Sequence, residues 1–312
     1  MWILLAFGSA FFAGITAILA KLGIKDMDSH LATALRTIVV LIFAWLMVWV
    51  KGTQSTMADI SGESYLFLAL SGLATGGSWL CYFRALQCGD VNKVVPIDKS
   101  STILTMLGAF LILREPITRY MILGMGAIAA GTALMIQKKA VPEKKAASLE
   151  QAGDGAGITA KTYSKNTAAD YRWLIYAVLS AVFASLTSIL GKIGMENVDS
   201  TLGTALRTIV VLLMAWLIVF MTHKQKEIGK IDRRSWLFLI LSGVTTGLSW
   251  LCYYRALQTG KASIVVPIDK LSIVVSVAFA WIVFKEKLSS KGLAGLILIV
   301  AGTLICLALI HI

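Results

Sequence analysis

Apolar stretches alternate with short polar ones along the whole chain. A helix that crosses a bilayer needs about 20 mostly apolar residues, and ten segments meet that length. They run over 2–20, 31–50, 65–86, 94–113 and 120–136, then 173–191, 202–221, 236–257, 264–284 and 292–310. The first could be misread as a cleaved signal peptide. It has no basic leader, and its counterpart recurs in mid-chain at Trp173, so it is expected to be a helix of the mature protein.

A shift of 171 positions, without a gap, lays the second half on the first. LATALRTIVV at 31–40 meets LGTALRTIVV at 202–211, and SGLATGGSWLCYFRALQ at 71–87 meets SGVTTGLSWLCYYRALQ at 242–258. VVPIDK occurs at 94–99 and again at 265–270. About 60 of about 137 aligned positions are identical, which marks a duplication. Five is odd, so the second copy enters the membrane from the opposite face. The expected fold is an all-α membrane protein of ten transmembrane helices arranged as two inverted five-helix repeats. In such folds the substrate site lies between the repeats, near the midplane. The expected units are a first repeat at 1–137, a polar linker at 138–172 and a second repeat at 173–312.

Composition agrees with a lipid solvent. Of 312 residues, 57% are hydrophobic and 15% charged, against about 25% charged in soluble domains. A single core stops growing at about 250–300 residues. A soluble enzyme, a disulfide scaffold and a disordered chain are therefore excluded. The net charge of +12 sits mostly in short loops, where positive-inside bias accounts for it, and nucleic acid is not expected as a partner. Cys81, Cys88, Cys252 and Cys306 form no CxxC pair, and His30, His223 and His311 are far apart, so neither a metal site nor a cofactor is expected. The basic-residue bias, five on the terminal side against eighteen on the other, places the linker in the cytoplasm and both termini outside.

The chain resembles the EamA-type transporters of the drug/metabolite transporter superfamily. The resemblance rests on YFRALQCGDVNKVVPIDKSS, LREP at 113–116 and GMGAIAAGTALM at 124–135, repeated as YYRALQTGKASIVVPIDKLS, FKEK and GLILIVAGTLI. It implies transport of amino acids, nucleotide sugars, other metabolites or drugs. Small multidrug exporters of that superfamily place a glutamate in the first helix; 2–20 and 173–191 contain no acidic residue, so the resemblance to their proton-coupled cation efflux stops there.

Intramembrane ionisable residues are functional-site hypotheses by default. Here they are duplicated: Arg36, Arg84, Asp98 and Lys99, then Arg207, Arg255, Asp269 and Lys270. Inversion gives each membrane face one such layer, as two gates flanking a central cavity require. Asp98 and Lys99 project about 100° apart on a helix, so the expected partners are Asp98 with Arg36 or Arg84, and Asp269 with Arg207 or Arg255. The competing reading is arginines snorkelling to headgroups or ion pairs that only fix packing. Trp79, Tyr82, Trp250 and Tyr253 are expected either to line the cavity or to join an interfacial aromatic belt. Ser101 and Ser272, one turn after the aspartates, would bond substrate or their own helix. Pro96 and Pro267 either kink a helix or sit harmlessly in its first turn. Gly124, Ala127, Gly131, Gly295 and Gly302 read as close helix packing.

These readings point to a secondary transporter of a small anionic or zwitterionic metabolite, an amino acid first among them, because basic groups outnumber acidic ones in each layer. The alternatives are an organic-cation exporter, a channel or a non-catalytic membrane scaffold. No HExxH, GxSxG or paired carboxylates suggest catalysis. The expected partners are the lipid bilayer, a small-molecule substrate and an unassigned coupling ion, with monomer and homodimer both open. The expected location is the inner (cell) membrane of a prokaryote.

Overall fold

The structure is a computed structural model that describes residues 1–23, 27–88, 94, 97–135, 171–285 and 289–308. Nearly all of the expected linker and Pro96 lie outside these. Regular structure among the described residues is helical: α1 (Trp2–Gly23), α2 (Ser29–Lys51), α3 (Gly62–Cys88), α4 (Ser101–Leu111), α5 (Arg119–Met135), α6 (Arg172–Gly194), α7 (Ser200–Met221), α8 (Arg233–Thr259), α9 (Ala262–Lys270), α10 (Ser272–Phe284) and α11 (Ser290–Ala308).

The two halves start their helices by the same local chemistry. Asp28 caps α2 by accepting from the His30 and Leu31 N–H groups, and Asp199 caps α7 through Thr201 and Leu202. Each cap satisfies donors that have no partner within their own helix. Short 3-10 turns follow at Thr53–Asp59 and Lys224–Lys230, again 171 positions apart.

Eight spans among the described residues are long and apolar enough to cross a bilayer: α1, α2, α3, α6, α7, α8, the run Ala262–Val283 and α11. Helix α5 has 17 residues and α4 has 11, so the described residues do not give ten full-length spans. Large apolar side chains such as Leu4, Phe11, Ile42, Trp49, Leu213 and Trp281 are exposed, while the opposite faces of these helices pack into the protein. Apolar outer surface on this scale belongs in lipid, and the chain is an integral multi-pass membrane protein.

Packing shows the two-fold relation. Helix α1 packs along α8 and α3 along α6, an exchange of equivalent helices between the halves; α2 packs on α7 and α5 on α11, each against its own counterpart. Glycines set the closest crossings. A Cβ at Gly131 would stand 2.6 Å from the Gly295 carbonyl oxygen, and one at Gly295 would stand 2.6 Å from the Gly131 oxygen. The small-residue stripe thus lets α5 and α11 touch backbone to backbone.

The fourth segment of each half differs from the continuous helix expected. Segment 264–284 breaks at Leu271, between α9 and α10. Pro267 lies inside α9 and donates no backbone hydrogen bond, and the Leu271 N–H closes a tight turn on the Ile268 oxygen at 2.9 Å. In the first half the Ser100 N–H bonds Ile97 at 3.1 Å in the same way, just before α4 begins. Asp269 and Lys270 therefore end the short helix α9, and Asp98 and Lys99 come just before the turn that precedes α4.

Candidate functional site

The aspartates do not take the arginine partners expected of them. Asp98 accepts from Ser180 Oγ of α6 at 2.8 Å, and Asp269 accepts from Ser9 Oγ of α1 at 2.6 Å. Ser9 and Ser180 are themselves 171 apart, so one inter-repeat bond is made twice. The reason is the packing: α1 and α6 each lie against the other half's third helix, which brings their serines, not the second-helix arginines, to the aspartates. Each serine also meets a serine of that third helix, Ser249 for Ser9 and Ser78 for Ser180, both at 3.3 Å.

Arg207 is buried, with 1% of its surface exposed. Its Nε donates to Ser71 Oγ at 3.3 Å and its Nη2 to Thr75 Oγ1 at 2.7 Å, both on α3. The guanidinium carbon lies 4.5 Å from the Tyr254 ring centre and 5.1 Å from that of Trp250, within cation–π range. Nη1 has no partner, and no carboxylate among the described residues pairs with this cation. Its counterpart Arg36 is half-buried on α2. Arg84 and Arg255 are exposed near the ends of α3 and α8, where Arg255 bonds Gln258 at 2.7 Å.

A cavity of 310 Å³ lies beside Arg207. Asp269, Lys270, Trp79, Trp250 and Tyr253 all line it, with Ser188 bonding the Tyr253 hydroxyl at 2.8 Å. Tyr82 is instead half-buried against Phe83, in a cluster with Ala85 and Val94. Ser101 is buried and its carbonyl accepts from Thr105, while Lys99 and Ser272 line a second cavity of 390 Å³, which shares Lys270 with the first. The structure thus gathers Arg207, Asp269, Lys270, Trp79, Trp250 and Tyr253 around one space, and leaves Arg84, Arg255, Tyr82 and Ser101 off its wall. Among the described residues no three His, Cys, Asp or Glu side chains cluster as metal ligands.

On the side that holds the N-terminus, a polar cluster ties the loop after α4 to the start of α9 and the end of α6. Glu115, in the loop after α4, is 9% exposed. It accepts from the Ala262 N–H at 2.7 Å, the Ser263 N–H at 2.9 Å and Ser263 Oγ at 2.6 Å, so it caps α9 from outside. Lys192 at the end of α6 lies 3.3 Å from it and also donates to the Gly260 carbonyl. Burial pushes the Glu115 carboxyl up, but the Ser263 and Ala262 hydrogen bonds and the Lys192 charge outweigh it and hold the group below its ordinary range. Nearby, Gln258 donates to the Val198 carbonyl at 2.7 Å and Lys51 to Thr201 Oγ1 at 2.7 Å. One signal for Glu115 was present: its carboxylate recurs 171 positions on as Glu286, which lies outside the described residues.

Comparison with known proteins places these features in context. The model of the EamA-like transporter family matches residues 1–137 and 171–308. A Sinorhizobium protein described as an uncharacterized transporter in cobO 3'region is 43% identical over 133 residues, 43% of this chain and 94% of that protein. A Methanocaldococcus jannaschii protein, uncharacterized protein MJ1333.1, is 30% identical over 132 residues, 42% of this chain and 93% of that protein. Less than half of this chain, about one repeat, therefore matches each relative almost end to end. A protein of known crystal structure superposes with a TM-score of 0.76 at 15% identity, covering 99% of this chain and 97% of the other, and shows the same fold.

Proposed function

The chain belongs to the EamA-like transporter family, and from that premise we propose that it is a secondary transporter of a small anionic or zwitterionic metabolite. An amino acid is the leading class, and the mechanism is alternating access between the inverted repeats. The observation that carries this reading is Arg207: a buried cation beside a 310 Å³ cavity, with one guanidinium nitrogen unpartnered. An unneutralised charge in low dielectric is unfavourable by several kcal/mol, and a carboxylate entering the cavity would offset it. Lys270 adds a second positive charge, Asp269 offers a place for an ammonium group, and Trp79 and Trp250 suit an apolar portion. Closure by Glu115, Lys192 and Ser263 supplies one gate. The inverted repeat supplies the other in this reading, and no chemical step is needed. The setting that fits is the inner membrane of a prokaryote.

Asp269 among aromatic rings is the feature that favours the rival, an organic-cation exporter. Against it stand Arg207 and Lys270 on the same wall and the lack of any acidic residue in α1 and in α6. A thermal-stability screen of the purified protein separates the two, because a ligand at 100 times its Kd stabilises by about 2.7 kcal/mol. Amino acids or related carboxylates are expected to raise the melting temperature, less so in Lys270→Ala, with quaternary ammonium compounds inert. Stabilisation by quaternary ammonium compounds alone would reverse the assignment. A channel would show current without a turnover ceiling, and a scaffold would show no flux.

A further inference from the structure

The second cavity differs in chemistry from the first. Its 390 Å³ lie between α1, α4, α5, α10 and α11, a volume within the usual range for small-molecule sites, about 300–1,000 Å³. Ile128, Met135, Ile273 and Ile299 form apolar wall, and the charged groups on it are Lys99 and Lys270. Among the described residues that line it there is no carboxylate, whereas the first cavity holds Asp269.

The two lysines are available to a ligand. Their nearest carboxylates are their own neighbours, Asp98 at 4.0 Å and Asp269 at 3.9 Å, beyond hydrogen-bond length. Those aspartates are already held by Ser180 and Ser9. The lysine side chains remain 54% and 41% exposed, and both line this one cavity. Each ammonium carries three donors. The Thr132 hydroxyl donates back to the Ile128 carbonyl within α5, and the Ser276 hydroxyl donates across to the Gly14 carbonyl of α1, so both already have acceptors.

Two like charges on the wall of a largely apolar pocket call for an anionic head with an alkyl body. We propose that the second cavity binds an anionic amphiphile, its head between Lys99 and Lys270 and its alkyl portion along Ile128, Ile273 and Ile299. The chemistry fits a free monocarboxylate or the anionic end of a lipid. It disfavours a cation, which the lysines would repel. The site is separate from the cavity beside Arg207, apart from the shared Lys270, and stands whatever the transported substrate proves to be.

Titration calorimetry of octanoate tests this, using the purified full chain in phosphatidylcholine nanodiscs. Saturable binding is expected, with octanol and octyltrimethylammonium failing to bind. Lys99→Gln should weaken octanoate by about tenfold or more, as loss of a charge-assisted contact does, and Lys99→Arg should restore most of it. Ile299→Phe, checked for native helicity, should abolish binding by filling the tail space. Repeating the titration in nanodiscs with phosphatidylglycerol separates the two sources: competition assigns the site to a lipid anion, and unchanged binding assigns it to a free carboxylate. Absence of saturable octanoate binding in phosphatidylcholine would overturn the proposal. So would binding indifferent to both Lys99→Gln and Ile299→Phe.

Discussion

Replacing Glu115 tests whether the closed side is held by one buried carboxylate. Glu115→Ala removes the external cap of α9, and loss of a cap costs about 0.5–2 kcal/mol. It also strips Lys192 of its ion-pair partner, a change worth about 3–5 kcal/mol where the remaining charge is fully buried. Lys192 is 21% exposed and keeps the Gly260 carbonyl, which moves that second effect below its usual range. We expect a net loss of about 3 kcal/mol, read as a lower melting temperature in neutral detergent and as faster labelling of a cysteine placed at Ser263. The pH dependence has a definite sign. Because the native carboxyl is held below its ordinary range, its contribution is complete above about pH 4.3, the unperturbed value. It is lost as pH falls through the lower native value. Glu115→Gln should lack that acid-side loss. A Glu115→Ala protein that melts within a degree of the parent, with unchanged labelling, would refute the latch.

Arg207→Met should abolish substrate binding yet leave stability unchanged or higher, since it removes the desolvation cost of a buried charge that no carboxylate among the described residues compensates; a large loss of melting temperature would contradict this. Asp98→Asn and Asp269→Asn keep an acceptor for Ser180 and Ser9 but remove the charge beside Lys99 and Lys270, once in each half. Accessibility labelling should shift in opposite directions, and shifts in the same direction would count against inverted gates. Gly131→Leu should destabilise the α5–α11 contact by about 1–3 kcal/mol. Gly126→Ala, with nothing within 4 Å of its Cβ position, should be neutral or stabilising, so equal thermal effects in the two variants would contradict the backbone-contact reading.

The duplication made much of this fold legible. A repeat offset by 171 positions and of odd helix number implies inversion, and the apolar segment lengths place most helices to within a few residues. The break at Leu271 was half visible: Pro267 announced a missing donor, but whether it opens a helix or interrupts one depends on where α9 begins, at Ala262. The partners of the aspartates were not legible. Sequence places Asp269 and Arg207 on the same face of the membrane, but only the packing of α1 against α8 and α9 puts Ser9, an ordinary serine in an apolar run, at 2.6 Å from that carboxylate. Glu115 was hidden for a similar reason. In a loop it reads as solvated, and its burial arises from contact with the start of α9, 147 residues away.

The central claim is that this membrane protein carries an anionic or zwitterionic metabolite through a cavity with Arg207 on its wall. Uptake of radiolabelled amino acids into proteoliposomes, preloaded or not with unlabelled substrate, tests it most directly. Saturable uptake, stimulated by substrate on the far side and lost in Arg207→Met, is the result predicted. Robust transport of quaternary ammonium compounds, undiminished in Arg207→Met and Lys270→Ala, would contradict it.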